Sequence, residues 1–285
     1  MRLGIGTVQF GIDYGIANKI GKVAKIEQIK ILDLADKHNI SLIDTAINYG
    51  DSEKNLGEYE LEKFNVVSKI PEIPKNLNNV EKWITNQLKE SILKLGVKSL
   101  YAVLLHRANQ LFDYDGKIIA YLEKLKNDGL VKKIGVSIYA PEELESILAN
   151  FSIDIVQAPM NLIDRRLKNS GYLNLLKKKK IEVHIRSIFL QGLLLMNKDS
   201  LPLKFKKWKN LSEDWYYWLD ENPKLSALDI CINYIKSIHE IDKIIVGVDS
   251  SNQLEEVLKA YSLTEQVDFP EISCNDEQLL NPSNW

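Results

Sequence analysis

The sequence predicts an α/β protein, a (β/α)8 TIM barrel folded as a single domain over residues 1–285. Three observations point there. Short β-type apolar runs alternate with stretches of helical spacing along the chain, and there are eight such runs. That alternation builds parallel βαβ units, and eight units close on themselves. The first run leads into Gly6-Thr7-Val8-Gln9-Phe10-Gly11, not into the GxGxxG turn typical of an open doubly wound sheet. A length of 285 residues suits one barrel, which commonly takes about 250.

The strand runs are Leu3–Thr7, Leu42–Asp44, Val66–Lys69, Leu100–Leu105, Lys133–Ser137, Ile155–Ala158, Glu182–Ile185 and Lys243–Val246. Helical spacing covers Ile26–His38, where Ile29, Ile31, Leu32, Leu34 and Ala35 gather on one side. It recurs over Val80–Leu95, Gly116–Asn127, Pro141–Ala149, Tyr172–Lys179, Leu225–Ile238 and Asn252–Ala260. The least regular stretch, about 196–223, carries Trp208, Trp215, Tyr216, Tyr217 and Trp218. It is expected to be an extra helix packing its aromatics on the barrel, or a lid over the mouth.

Apolar residues make up 45 % of the chain, enough for a sizeable core. With 37 basic and 39 acidic residues the net charge is −2, which gives no reason to expect nucleic acid or a membrane as partner. Lys177–Lys180 reads as a solvated helix end. The two cysteines, Cys231 and Cys274, lack metal-type spacing and fit a reducing cytoplasm. No apolar run suits a signal peptide or a membrane span, so a cytoplasmic protein is expected. His38, His106, His184 and His239 stand apart, so no metal site is expected, and His184 reads as a barrel-interior residue.

In a barrel, chemistry sits at the C-terminal ends of the strands. Asp44 ends the second run, Tyr49 lies in the loop after it, Lys69 ends the third, and His106 follows the fourth. Reduction of a carbonyl by hydride builds negative charge on oxygen, and a proton must follow. A tyrosine hydroxyl can donate it, although its ordinary pKa is near 10. A neighbouring ammonium would lower that value, a carboxylate would hold the ammonium, and an imidazole would orient the carbonyl oxygen. Singly, each residue admits a structural role; four of them at matched strand ends form a working set.

The segment Leu42-Ile43-Asp44-Thr45-Ala46-Ile47-Asn48-Tyr49-Gly50-Asp51-Ser52-Glu53, followed by Leu56-Gly57, resembles the DTAxxYG-SE-xLG signature of the aldo-keto reductases. The likeness continues in Leu3-Gly4-Ile5-Gly6-Thr7, Leu104-Leu105-His106, Ile134-Gly135-Val136-Ser137 and Val156-Gln157-Ala158-Pro159-Met160-Asn161. It ends in Leu190-Gln191-Gly192 and Ile245-Val246-Gly247-Val248-Asp249. The resemblance implies Tyr49 as proton donor, with Asp44, Lys69 and His106 completing a tetrad. It implies NADP(H), with NAD(H) as the alternative, bound without a Rossmann fold.

The resemblance also carries over part of a cofactor site. Thr7 belongs to it at the end of the first strand. Ser137 and Gln157 match positions that bind the nicotinamide carboxamide, although Ile138 replaces the Asn that commonly follows that serine. Arg186 stands where a ring-stacking Tyr or Trp is frequent; a guanidinium plane also stacks. Ser187, Leu190 and Gly192 match the loop beside the pyrophosphate. The last loop contributes Gly247, Asp249, Ser250 and Gln253, ahead of a helix whose N-terminus would favour phosphate. Family members that select the 2′-phosphate usually place Lys or Arg here, and this chain does not, which leaves NADH open. Simple capping by Ser250 or Ser251 is the plain alternative.

The expected function is therefore NAD(P)H-dependent reduction of an aldehyde or ketone, sugar-derived carbonyls among the candidates, to an alcohol. Candidate substrate contacts are Asn48, Arg107, Arg165 and Arg166. A monomer or weak homo-oligomer is expected. Two alternatives come from other classes: a nucleotide-binding regulatory barrel without turnover, and a cofactor-assisted sugar epimerase or dehydratase. Net consumption of the reduced cofactor marks the first reading, binding without consumption the second, and product without net change in cofactor the third.

Overall fold

A computed structural model describes residues 1–264 and 267–285. Eight parallel strands close into a barrel in sequence order. They are β1 (Leu3–Gly6), β2 (Leu42–Asp44), β3 (Asn65–Ile70), β4 (Leu100–Leu105), β5 (Val131–Ser137), β6 (Ile155–Pro159), β7 (Glu182–Arg186) and β8 (Lys243–Gly247). Closure is between β1 and β8, where Gly6 pairs with Gly247.

The register explains the mouth. Leu42, Val67, Ala102, Leu104, Ile155 and Ile245 form an apolar cluster of their own, separate from the larger core. Ile43, Val66, Val103, Leu105, Val156, Ile185 and Ile244 join that larger core with the surrounding helices. Side chains two apart on a strand share a face. The residues two beyond Leu42, Val67, Leu104, Ile155 and Ile245 are Asp44, Lys69, His106, Gln157 and Gly247. They share that inner face, at the C-terminal ends of their strands.

The opposite end of the barrel is polar. Lys133 Nζ donates to Glu182 Oε2 at 2.6 Å and to the Tyr101 hydroxyl at 2.8 Å. That hydroxyl donates to Glu182 Oε2 at 2.8 Å, and fully buried His184 lies 3.4 Å from Glu182 Oε1. Burial pushes the Glu182 carboxyl up, but its His184, Lys133 and Tyr101 partners together outweigh this and hold it at about 2.

The long crossover helices span Lys25–Lys37, Val80–Leu95, Ile118–Asn127, Glu143–Asn150, Tyr172–Lys178, Ala227–Lys236 and Ser251–Ser262. Three start two residues later than hydrophobic spacing suggests, among them Glu143–Asn150, expected from Pro141. Tyr114, Asp115 and Gly116 all have positive φ, so the fourth-strand crossover helix begins only at Ile118. Ser226 forms a capping box with Asp229, which starts the next helix at Ala227 and not at Leu225. The crossover from β2 to β3 contains a short helix, Ser52–Leu56, that the apolar spacing did not announce.

Stretch 196–223 folds into 3-10 turns at Lys198–Ser200 and Leu203–Trp208 and a helix, Lys209–Glu221. Trp215 is buried, stacks on Trp218, and donates through Nε1 to the Leu194 carbonyl at 3.2 Å. Tyr216 donates to the Met196 carbonyl at 2.8 Å. The aromatics therefore buttress the chain that leaves β7. No helix among the described residues is long and apolar enough to cross a membrane.

Candidate active site

Asp44, Lys69, Tyr49 and His106 come together at the mouth. Lys69 is 1 % exposed and donates to Asp44 Oδ2 at 2.7 Å and to the Thr45 carbonyl at 2.9 Å. Gln157 Nε2, reaching across from β6, donates to Asp44 Oδ1 at 2.7 Å. Asp44 thus has a partner on each oxygen, as a buried carboxylate requires. The Tyr49 ring centroid lies 5.3 Å from Lys69 Nζ. The His106 ring meets it edge-on, with centroids 6.0 Å apart and planes at 77°.

The Tyr49 loop is placed by close backbone packing. A Cβ on Gly11 would fall 1.7 Å from the Tyr49 carbonyl oxygen, so only glycine fits there. Ser52, three residues after Tyr49, donates to the Thr7 carbonyl at 2.8 Å. Thr7 Oγ1 in turn donates to the Asp44 carbonyl at 3.0 Å. Thr7 thus serves as a strut between the first two strand ends. Buried Glu53 accepts from Ser68 and Ser91, each at 2.6 Å, and pins the same loop to β3 and to the helix Val80–Leu95.

The electrostatics differ from the simple expectation. Burial raises the Tyr49 phenol above its ordinary value, Asp44 raises it further, and the Arg186 guanidinium opposes both. The lysine ammonium beside the ring is matched by Asp44 in the resting site, and Arg186 adds a second positive charge that favours the phenolate. Burial lowers Lys69, against the pull of Asp44. Burial and the charges of Lys69, Arg186 and Arg107 drive His106 down to about 3. The imidazole is neutral across the working range and can donate to a carbonyl oxygen without carrying charge.

His106 gives a stability prediction. An unfolded histidine titrates near 6.5, above the folded value of about 3. Between those values only the unfolded chain takes up this proton, so stability is whole above about 6.5 and falls as pH drops toward 3. The slope from this group approaches ~1.4 kcal/mol per pH unit. Urea unfolding at pH 7, 6 and 5 should show the decline, and His106→Gln should flatten it. An unchanged slope in the variant would contradict the assignment.

Beside this group lie buried polar atoms with no hydrogen-bond partner among the described residues: Ser137 Oγ, Gln157 Oε1 and His106 Nδ1. Each such atom typically costs about 1–3 kcal/mol when left unmet. A hydroxyl that can donate and an amide oxygen that can accept suit a carboxamide. The pattern fits a nicotinamide.

The loops after β1, β7 and β8 meet above. Ser187, Leu190, Gln191 and Gly192 all have positive φ. A Cβ on Gly192 would come 2.5 Å from the Ala17 Cβ, so the β1 loop presses on this segment. Asn18 Nδ2 reaches Asp249 Oδ1 at 3.4 Å. A Cβ on Gly247 would lie 2.6 Å from Gln9 Nε2, so the end of β8 is covered. Ser250 caps the helix Ser251–Ser262, accepting from Gln253 N at 3.2 Å, and Gln253 Oε1 accepts from Asp249 N at 2.7 Å. Glu27 Oε1 accepts from Ser251 N at 2.7 Å and from its hydroxyl at 2.6 Å. Those Ser251 bonds hold the Glu27 carboxyl at about 2. A carboxylate thus already sits on that helix N-terminus.

Of the substrate candidates, Asn48 is exposed in the Tyr49 loop, and Arg107 lies over the Tyr139 ring at 5.6 Å. Arg165 is turned elsewhere: it donates to the Leu162 carbonyl and Glu271 at 2.9 Å each, and to the Pro270 carbonyl. It fastens the C-terminal segment. Arg166 pairs with buried Asp164 at 2.8 Å and reaches the Tyr139 carbonyl at 3.4 Å. Arg186 packs on Tyr139, with its guanidinium carbon 4.8 Å from the ring centroid. Tyr139 is the rim residue that strand-end reasoning passed over. It lies two positions beyond Ser137, and extending the search into each loop by two residues would have found it.

The sequence model of the aldo/keto reductase family matches residues 2–272. The chain belongs to this family. It is 26 % identical over 201 residues to the NADH-specific methylglyoxal reductase of Escherichia coli (strain K12), a match covering 61 % of each chain. That match spans less than two thirds of the length of the relative. The chain is 23 % identical over 267 residues to a Bacillus subtilis (strain 168) protein named uncharacterized oxidoreductase YqkF, covering 85 % of each. Its fold is similar to the holo form of the aldo-keto reductase AKR11C1 from Bacillus halodurans. That likeness has a TM-score of 0.74 at 17 % identity and covers 93 % of this chain and 88 % of the other. Family membership supports carbonyl reduction as the general activity.

Proposed function

We propose that this family member reduces an aldehyde or ketone with a nicotinamide cofactor, with Tyr49 as the proton donor. The observation that carries the reading is the buried Asp44–Lys69 pair set against Tyr49 and His106, next to unpartnered Ser137 Oγ and Gln157 Oε1. Ser137 and Gln157 would hold the carboxamide. A nicotinamide held there would supply the hydride. Tyr49 holds its proton at the Oη and releases it to the carbonyl oxygen as negative charge develops there. His106, neutral, steadies the same oxygen by a hydrogen bond. Lys69, fixed by Asp44, keeps positive charge behind the phenol as it becomes phenolate.

For the nucleotide we favour NADH. The last loop carries Asp249 and meets Glu27, and neither Lys nor Arg stands in Gly247–Gln253. Two carboxylates disfavour a 2′-phosphate beside them. The NADH specificity in the name of the Escherichia coli relative agrees with this.

Quenching of tryptophan fluorescence by each nucleotide, together with loss of absorbance at 340 nm over a panel of aldehydes, tests both parts. NADH should bind at least about tenfold more tightly than NADPH, a difference of about 1.4 kcal/mol. Equal or reversed affinities would remove the NADH assignment. Binding without consumption would favour a regulatory barrel, and product without net loss of cofactor would favour an epimerase-type reaction.

A further inference from the structure

The chain has five arginines among its 37 basic residues, and it uses lysine for most solvated charge. Arg2 donates to three backbone carbonyls, those of Lys236, Ile238 and Ile241. Arg165 and Arg166 have carboxylate partners at 2.9 and 2.8 Å. The other two, Arg107 and Arg186, stand at the candidate mouth.

Arg186 is partly buried at the end of β7 and forms no ion pair among the described residues. One N–H goes to Ser187 Oγ at 3.3 Å and one to the Ile138 carbonyl at 3.0 Å. A guanidinium has five donors, so most remain free. The one ion pair of Arg107 among the described residues is with Glu72, at 3.7 Å, with both side chains exposed. The two guanidiniums lie over the same ring, that of Tyr139, at 4.8 and 5.6 Å. Arg166 donates to the Tyr139 carbonyl at 3.4 Å while Asp164 neutralises the Arg166 charge. Tyr139 is thus held through its backbone, its N–H going to Glu143 at 2.6 Å. The charge of the two guanidiniums over its ring is not balanced: Asp44 is taken by Lys69, and Glu72 offers one loose carboxylate.

A partly desolvated cation without a counter-charge is costly, and a planar fork of free donors matches a carboxylate or phosphate. Both guanidiniums also bear on His106, alongside Lys69. The unmatched charge therefore sits where a carbonyl would be held. We infer that the substrate is an anionic carbonyl compound, its carboxylate or phosphate monoester gripped by Arg186 and Arg107 while its carbonyl meets Tyr49 and His106. This rests on the carbonyl-reducing reading above.

Matched pairs test it: succinic semialdehyde against butanal for a carboxylate, and glyceraldehyde 3-phosphate against glyceraldehyde for a phosphate. In at least one pair the anionic member should be used about ten- to hundredfold better, mainly through KM, the range of one or two charge-assisted hydrogen bonds. Arg186→Gln and Arg107→Gln should each shrink that ratio at least about fivefold, and raised salt should shrink it in the unaltered protein. Calorimetry of succinate and of inorganic phosphate on the NADH-loaded protein provides a readout without turnover. One of them should bind, and bind at least about tenfold more weakly to Arg186→Gln.

Equal use of charged and neutral members overturns the inference while leaving carbonyl reduction intact. So does a loss in Arg186→Gln that is the same for both members and matched by a loss of NADH affinity, which would assign the arginine to the cofactor. Turnover of none of the four, with anion binding that depends on Arg186, would instead overturn the reductase reading and keep the anion site.

Discussion

Tyr49→Phe is expected to lower kcat/KM by about a thousandfold, the middle of the range for removing a general acid. The change deletes one oxygen and keeps the ring. The edge contact with His106, with centroids 6.0 Å apart, and the 5.3 Å approach to Lys69 both survive it. The unpartnered Ser137 Oγ and Gln157 Oε1 belong to other strands and are untouched. Cofactor affinity, read by fluorescence quenching, should therefore stay within a few fold. A step that fails while binding persists is the signature of a group acting in the transition state. Retained turnover, or affinity lost in proportion to rate, would take the donor role from Tyr49. A second readout is the pH profile. Burial, then Asp44, hold the phenol above its usual value near 10, so no alkaline limb from this group should appear below that pH.

How much of this was legible depends on the range of the interaction. The barrel was legible because strand alternation and helical spacing are local, and Val80–Leu95 has its expected bounds. The convergence of Asp44, Lys69 and His106 was legible because parallel strands in sequence order put all C-terminal ends at one rim. Short elements were not. Ser52–Leu56 has five residues, too few to display a helical period. Contacts made across the chain were not legible either. Gln157 reaches Asp44 over 113 positions, and Arg165 reaches Glu271 over 106. Nothing beside Arg165 in sequence signals that its guanidinium fastens the C-terminal segment. Likewise, Ser251 reads as a plain cap until Glu27, 224 positions away, is seen to accept its N–H. The tyrosine environment shows the same limit. An ammonium nearby suggests a lowered phenol, yet the pairing of Lys69 with Asp44 cancels it and burial decides the sign.

Lys69→Met should destabilise the fold strongly, and it separates structure from chemistry when paired with a second substitution. Lys69 and Asp44 are both buried, with side chains 1 % and 6 % exposed. Methionine fills much of the same volume but leaves the Asp44 carboxylate with Gln157 as its remaining side-chain donor. Breaking one half of a buried pair costs about 3–5 kcal/mol, because the other charge stays behind without compensation. For a chain of this size that lowers the midpoint of thermal unfolding by roughly 6–20 °C. Asp44→Asn added to Lys69→Met removes the stranded charge, and an amide can still meet Gln157. The double variant should recover most of the stability. It should not recover activity, since the ammonium beside the Tyr49 ring is then missing as the phenolate forms, and Arg186 alone remains. Thermal unfolding and turnover on the same four proteins close the cycle. A single variant as stable as the parent, or a double variant no better than the single, would mean that the pair is not the buried unit described. Recovered activity in the double variant would mean that Lys69 matters only as packing.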